Sequence, residues 1–467
     1  MEKYEIIFKE DVAKYVQIAK RIKKLVESNC IEDGEKLPSI RKLAHYLSVN
    51  NVTIINAYKK LEDEGYAVQK IGSGTYAKRK DDSRRIRREY ARTFKSISHS
   101  SLEEYIDFTG ETTCTEYFPI DILKNVINEV LNRDGAKALI YQDPLGYEGL
   151  RKSINDFFWN SNLNKDDILI VSGAQQGIDI VSKSIINVND NIIVEKPTYS
   201  GALSVFKWKK ANILEVDIVN DGIDLDQFEK LLKRYKIKCF YAMSYFQNPT
   251  GTSYSIEKKK RILELSQLYD FYIIEDDYLS ELIYDGKIKY RSFKSLDKNN
   301  RVIYIKSFSK IFLPGIRIGY LISPKRFANV IRNSKVNTDI STSSLMQRVL
   351  DLYINRGYWK GYIKQLNNIY YDKYNYMKKC IISILKDKVT FNEPGGGLNF
   401  YLKISDKINM DCTELFQKCK VENVLITPGL LFYKFPHEGK KYFKIGFSQV
   451  THENMEKGIS IINNILK

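Results

Sequence analysis

Apolar runs of strand length recur at residues 168–171, 192–194, 238–243, 271–274, 302–305 and 319–322, separated by helix-length patterns. That alternation leaves few folds open. Strands buried on both faces need helices above and below them, which is the layering of a mostly parallel α/β sheet. In such sheets ligands sit beyond the carboxyl ends of the strands. The unusual wording of this chain follows the runs: Ser172-Gly-Ala-Gln175, Pro197-Thr-Tyr199, Gln247-Asn-Pro-Thr-Gly251, Asp276-Asp-Tyr278 and Ser307-Phe-Ser-Lys310. One crevice can gather them all.

The chain has 467 residues, more than one ordinary core holds, since domains usually run ~50 to 250 residues. Its first 79 residues follow a different pattern. Val12, Tyr15, Val16, Ala19, Ile22, Leu25 and Val26 recur at helical spacing and predict an amphipathic helix. After the turn residues Asp33 and Gly34, a second helix is expected from Ser39 as N-cap, with Leu43, Ala44 and Leu47 facing inward. A short exit at Ser48-Val49 leads to a third helix, capped by Asn50 or Asn51, burying Ile54, Ala57, Tyr58 and Leu61 and stopped by a left-handed Gly65. Two helices joined by so tight a turn predict a helix-turn-helix. Residues 66–71 and 75–77 flank Gly72-Ser73-Gly74 and read as a small hairpin, the wing of a winged helix.

The wording Leu37-Pro-Ser-Ile-Arg41, the stretch from Thr53 to Tyr58, Leu61-Glu-Asp-Glu-Gly-Tyr66 and Gly72-Ser-Gly-Thr-Tyr76 resembles the GntR family of bacterial regulators. A recognition helix presents its first residues to base edges in the major groove while flanking groups hold phosphates. Asn50, Asn51 and Thr53 are therefore the base-edge candidates. The resemblance implies operator DNA as partner, with Ser39 and Arg41 contacting phosphate or bases and Gly74 letting the wing approach the backbone. Ile55 stands at an outward position where some relatives carry a basic residue.

Residues 80–104 form a basic stretch poor in large hydrophobes, with Lys80, Arg84, Arg85, Arg87, Arg88, Arg92 and Lys95 continuing from Lys78 and Arg79. It reads as a solvated linker, either a spacer or a source of extra phosphate contacts that would steepen the salt dependence of binding. The net charge of +17 fits contact with polyanions. The charged N-terminus and the lack of any bilayer-length apolar stretch predict a cytoplasmic protein that does not enter membranes. The scattered six Cys and four His predict neither a metal site nor a disulfide framework.

In the remainder, Asn248-Pro-Thr-Gly251, Glu275-Asp-Asp-Tyr278 and Ser307-x-Ser-Lys310-x-x-x-Pro314-x-x-Arg317-x-Gly-Tyr320 resemble fold-type I aminotransferases. With the GntR-like head, the whole resembles the MocR subfamily. The implied architecture is α/β: a winged helix-turn-helix (1–79), the linker (80–104) and a domain (105–467) of the pyridoxal phosphate-dependent aminotransferase fold. That domain combines a large, mostly parallel α/β part, about 145–345, with a smaller α+β subdomain from the remainder.

The implied cofactor, pyridoxal 5'-phosphate, explains the residue types, because its aldehyde needs an amine, its pyridine nitrogen a carboxylate and its phosphate several donors. By the resemblance Lys310 forms the internal Schiff base and is the catalytic lysine. Asp276 keeps the pyridine nitrogen protonated, and Tyr278 and Asn248 bond the ring oxygen. Tyr199 stacks on the ring. Arg317 and Ser307, with backbone donors at Ala174 and Gln175, hold the phosphate. Tyr141, in Tyr141-Gln-Asp-Pro-Leu-Gly146, reaches the phosphate of a neighbouring subunit, which implies a homodimer.

The pattern departs from the enzymes at Lys444, in Tyr442-Phe443-Lys444-Ile445-Gly446. Enzymes commonly place an arginine there to grip a substrate carboxylate in a planar fork, which lysine cannot form. Lys444 is thus the candidate contact for an amino acid or amine effector. The expected function is a DNA-binding regulator that senses pyridoxal phosphate, or an amino compound, through an aldimine. A working aminotransferase and a DNA-binding protein with a vestigial cofactor domain stay open beside it. Sustained ketoacid-dependent turnover would mark the first, and absence of any cofactor the second.

Overall fold

The computed structural model describes residues 1–27, 30–32, 34–70, 72–78, 90 and 105–467. The chain separates into two compact units, Met1–Phe94 and Lys95–Lys467. Asp33 of the predicted turn, Ile71 of the predicted hairpin, Arg79 and the basic linker apart from Tyr90 lie outside the described residues.

In the first unit, α1 (Lys14–Glu27), α2 (Ile40–Tyr46) and α3 (Asn51–Asp63) precede a hairpin of β1 (Ala67–Lys70) and β2 (Gly74–Ala77). Ile18, Ile22 and Val26 of α1 meet Leu43 and Ala44 of α2 and Ile54, Ala57 and Leu61 of α3 in one buried core. The buried stripe of α1 differs from the expected one. Val12 precedes the helix and, like Tyr15, is exposed, whereas Ile18 is buried. The helix starts two residues later than the apolar spacing suggested, and its inward face is the i, i+4, i+8 row Ile18-Ile22-Val26. Ser39 and Asn50 cap α2 and α3, accepting from the N–H groups of Lys42 (3.3 Å) and Val52 (3.0 Å). Gly65 turns left-handed at φ +80° after α3. The segment before α2 joins the wing, with Leu37 N–H donating to Thr75 O and Ala77 N–H to Glu35 O.

The second unit opens with the short strand β3 (Ile106–Asp107). Its large sheet comprises β4 (Ile168–Val171), β5 (Asn191–Lys196), β6 (Asn212–Val219), β7 (Gly222–Ile223), β8 (Ile237–Ala242), β9 (Tyr272–Asp277), β10 (Val302–Ser307) and β11 (Gly319–Ile322), in the order β4-β11-β10-β9-β8-β5-β6-β7. β5, β6, β8, β9 and β10 run parallel, β11 runs against both its neighbours, and β7 is a hairpin return from β6. The carboxyl ends of β4, β5, β8, β9 and β10 therefore share one edge of the sheet.

Two features depart from the apolar runs. β6 was not among them, because its buried residues Ile213 and Val216 alternate with the charged Glu215 and Asp217. β9 continues through Asp276 and Asp277 rather than ending before them, since each carboxylate has a buried partner.

A smaller antiparallel sheet contains β12 (Val389–Phe391) and β13 (Asn399–Ile404) and, beyond β14 (Val424–Leu425), β15 (Thr427–Pro428) and β16 (Tyr442–Gly446), in the order β12-β13-β16-β15. β14 instead pairs in parallel with β3. The stretch after β3 stitches the parts of this unit together. Gly446 N–H donates to Phe108 O at 2.6 Å, and Thr113 N–H donates to Lys310 O at 3.2 Å. Among the described residues, no helix is long and apolar enough to cross a membrane.

Candidate functional site

At the shared strand edge lies a cavity of about 230 Å³ lined by residues from five strand ends. Ala174 and Gln175 follow β4, Tyr199 follows β5, and Met243 and Asn248 follow β8. Asp276 and Tyr278 come from β9, Ser307, Ser309 and Lys310 from β10, and Glu111 and Arg317 from flanking loops.

Strand alternation separates two adjacent acids here, because neighbouring side chains of a strand point to opposite faces. Asp277 is saturated: Lys306 Nζ lies 2.9 Å from its Oδ1, and Tyr290 and Tyr304 donate to its Oδ2 at 2.7 and 2.8 Å. Lys306 also reaches Ser280 and Glu281. Asp276, by contrast, lines the cavity. Its Oδ2 accepts from Tyr241 at 2.7 Å, while its buried Oδ1 has no hydrogen-bond partner among the described residues. Burial pushes its carboxyl up to about 6, against the Tyr241 hydrogen bond. A buried acceptor left open is costly, and this one invites a donor from within the cavity.

Lys310 faces the same space. Burial, aided by Arg317 and opposed by Asp276, pushes its amine down to about 8. A lysine shifted in this direction gives up its proton more readily than a free one, which favours nucleophilic chemistry.

The other end of the cavity suits an anion. Gly173, at φ +94°, precedes the helix Ala174–Ile185, whose first N–H groups have no intrahelical partner. A Cβ on Gly173 would stand 3.0 Å from the Arg317 guanidinium, and the φ of +94° favours glycine, so the guanidinium lies close against the backbone here. Arg317 donates to Ser172 O (2.9 Å) and to Ser309 Oγ (3.3 Å), and Ser309 N–H donates to Ser307 Oγ (3.2 Å). Tyr199 lines the wall, its hydroxyl pushed up to about 12 by burial. Tyr278 donates to Phe246 O at 2.7 Å.

Glu111 was not foreseen, and it organises the remaining wall. Its Oε2 lies 2.9 Å from Lys310 Nζ, and its Oε1 accepts from Asn248 Nδ2 at 3.2 Å and pairs with Lys444 Nζ. Lys444 also donates to Asn248 Oδ1 at 3.2 Å and lies over the Phe432 ring. Burial drives the Lys444 amine down, but the carboxylate in direct contact favours the ammonium form and holds it as an ion pair. Lys444 thus meets the cavity through Glu111 and Asn248. Nothing in the local sequence singles out Glu111, which stands 199 residues from Lys310. Ser309 could have been found, since it sits inside the Ser307-x-Ser309-Lys310 wording.

Tyr141 is not brought to the cavity. It is 78% exposed, beside Ser341 and Leu345.

In the first unit, Ser39, Arg41, Asn50 and Asn51 are exposed and Thr53 half-buried around the starts of α2 and α3. Ser39 and Asn50 spend an oxygen on capping, which leaves their hydroxyl and amide protons as donors. Tyr58 donates to Pro38 O at 2.7 Å and ties α3 to the entry of α2. Val52 and Ile55 are exposed on α3, an apolar surface of the kind that meets thymine methyl groups. Gly74 has φ +117° at the wing.

Comparison with known families matches residues 114–462 to the model "Aminotransferase class I and II" and residues 14–77 to "Bacterial regulatory proteins, gntR family". Aromatic-amino-acid aminotransferase 1 of Thermococcus litoralis is 30% identical over 78% of this chain and 88% of its own length. The uncharacterized HTH-type transcriptional regulator YdfD of Bacillus subtilis is 27% identical over 97% of this chain and 96% of its own. Among solved structures, the kynurenine aminotransferase of Pyrococcus horikoshii superposes with a TM-score of 0.76 at 28% identity, covering 81% of this chain and 95% of that one.

Proposed function

The chain belongs to the aminotransferase class I and II family and carries a gntR-family helix-turn-helix at its head; from that premise we propose a transcription regulator that holds pyridoxal 5'-phosphate at Lys310 and responds to it or to an amino compound. The fusion of these parts is that of MocR-type regulators, and aminotransferases of this family use pyridoxal phosphate.

The observation that carries the reading is the open, buried Asp276 Oδ1 in the cavity that Lys310 also lines. A protonated pyridine nitrogen is the donor it lacks, and such a partner would return the raised carboxyl to its charged form. The helix start at Ala174 and Gln175, with Arg317, Ser307 and Ser309, suits a phosphate. When bound, the cofactor supplies an aldehyde carbon that takes up primary amines and a ring that withdraws electrons. Lys310 would provide the amine and Asp276 would hold the ring proton; Asn248 and Tyr278, bonded here to Glu111 and to Phe246 O, would turn to the ring oxygen, and Tyr199 would cover the ring.

In the same reading the head binds operator DNA through Asn50, Asn51 and Thr53, with Arg41 and Ser39 on phosphates and Gly74 bringing the wing close. Two copies of the chain form the working unit, the exposed Tyr141 of one reaching the phosphate held by the other. A ligand then shifts the heads only by its differential affinity for two arrangements of the dimer.

The test is a visible spectrum of the purified chain with pyridoxal phosphate beside Lys310→Ala, followed by borohydride trapping and mass spectrometry. A Lys310-dependent band, with trapped mass on the peptide containing Lys310, is expected. No band would overturn the cofactor reading. Enrichment of sequences from random DNA, repeated with and without cofactor, tests the regulator.

A working aminotransferase is the second reading, favoured by the meeting of Asn248, Asp276, Tyr278 and Lys310 in one cavity and by the activities named for the similar enzymes. The engagement of Lys444 by Glu111 weighs against it. Turnover sustained by a ketoacid would put it first.

A further inference from the structure

Two cations line the pocket and a third, Lys444, stands behind Glu111 and Asn248, and each is already engaged. Arg317 bonds Ser172 O and Ser309 at the anion end, Lys310 meets Glu111 at 2.9 Å, and Lys444 pairs with the same carboxylate. No free cation faces the space beside Lys310 among the described residues. What faces it is a carboxylate.

Glu111 is held there by backbone. Its chain segment is clamped by Gly446 N–H on Phe108 O (2.6 Å), Ser448 Oγ on Gly110 O (3.3 Å) and Thr113 N–H on Lys310 O (3.2 Å). The packing is tight enough that a Cβ on Gly446 would stand 2.3 Å from Gly110 O. Lys444, 2% exposed, cannot turn to a ligand without leaving Glu111, and a buried charge separated from its partner is heavily penalised.

The Lys310 nitrogen lies 2.9 Å from Glu111 Oε2, so a ligand amine that takes its place arrives beside that carboxylate. An ammonium is attracted there. A second carboxylate, on the carbon next to that nitrogen, meets a like charge, and Lys444 is already paired with Glu111. We infer that this pocket selects primary amines lacking an α-carboxylate, with Glu111 as the residue that excludes α-amino acids and Lys444 as the counter-ion that keeps Glu111 charged and in place. The inference rests on the cofactor reading above and names the ligand class of that site.

The test titrates matched pairs into the full-length, cofactor-loaded protein and follows the visible band: isobutylamine with valine, phenethylamine with phenylalanine, and putrescine with ornithine. At least one amine is expected to shift the band at a concentration at least tenfold below that of its amino acid. Glu111→Gln is expected to narrow that ratio at least tenfold. Because this variant leaves Lys444 without its counter-ion, the double variant Glu111→Gln, Lys444→Met runs in parallel and is expected to bring the members of a pair within about threefold. Equal response, preference for the amino acids, no response to any amine, or an unchanged ratio in variants that keep the band would overturn the inference. Loss of the Lys310-dependent band from the unmutated protein would instead overturn the cofactor reading beneath it.

Discussion

Lys306 Nζ lies 2.9 Å from Asp277 Oδ1 in a register pair of β10 and β9, on the face opposite to Asp276. This ion pair is fully buried, and Glu281, Ser280, Tyr290 and Tyr304 complete its hydrogen bonds. Four residues on, Lys310 has been left to the cavity. The two lysines of one short motif therefore divide between scaffold and chemistry.

Lys306→Ala strands Asp277 and Glu281 and is expected to cost about 3 to 5 kcal/mol, the usual penalty for breaking a buried pair from one side. Lys310→Ala removes an amine whose burial already disfavours its charge, while Glu111 keeps Lys444 as partner. It should change stability by no more than about 1 kcal/mol. Urea unfolding of both variants checks the contrast, and equal losses would contradict it.

Asp276→Asn should separate from the unmutated protein by pH. Burial raises the Asp276 carboxyl from 3.8 to about 6, so the folded protein keeps a proton that the unfolded chain has released between those values. Its stabilising contribution is full below about pH 4 and is lost as pH rises through about 6. Without cofactor, the variant is expected to be the more stable at pH 8, by at most about 3 kcal/mol, with the gap closing toward pH 4. Thermal unfolding at pH 5 and pH 8 measures it. A variant less stable at pH 8 would refute the expectation.

Gly446→Ala drives a methyl group toward Gly110 O. The segment carrying Glu111 must shift, at a cost of about 1 to 3 kcal/mol, and cofactor-loaded protein should show a displaced visible band. Unchanged unfolding and an unchanged band would show that the segment yields freely.

Arg41→Ala and Asn51→Ala should differ in kind on DNA. Loss of a phosphate contact at Arg41 lowers the slope of log affinity against log salt by about 1 and weakens all sequences alike. Loss of Asn51 relaxes the selected sequence and leaves the slope alone. Binding titrations at several salt concentrations, with sequence enrichment for each variant, distinguish the two.

Much of the site was legible because its motifs are local. Asp276, Tyr278, Ser307 and Lys310 stand at or just past strand ends, so strand periodicity and the rule for ligand position predict a shared edge. The caps at Ser39 and Asn50 were readable for the same reason, since a cap depends on neighbours two or three residues away. The readings that failed lay where solvent exposure overrides pattern: Val12 and Tyr15 fit the helical spacing but lie outside the core. β6 was missed because its charged residues break the apolar run.

By itself the sequence determined the α/β layering, the helix-turn-helix and the order of the residues that face the cavity, all of which follow from periodicity and from motifs a few residues long. The tertiary structure alone decided that Glu111 meets Lys310 and Lys444. Those contacts join a loop after β3, a loop after β10 and the strand β16, and they depend on where the segment from Phe108 to Thr113 is clamped. No spacing rule reaches across 199 residues, and a charge's partner is set by distance in space.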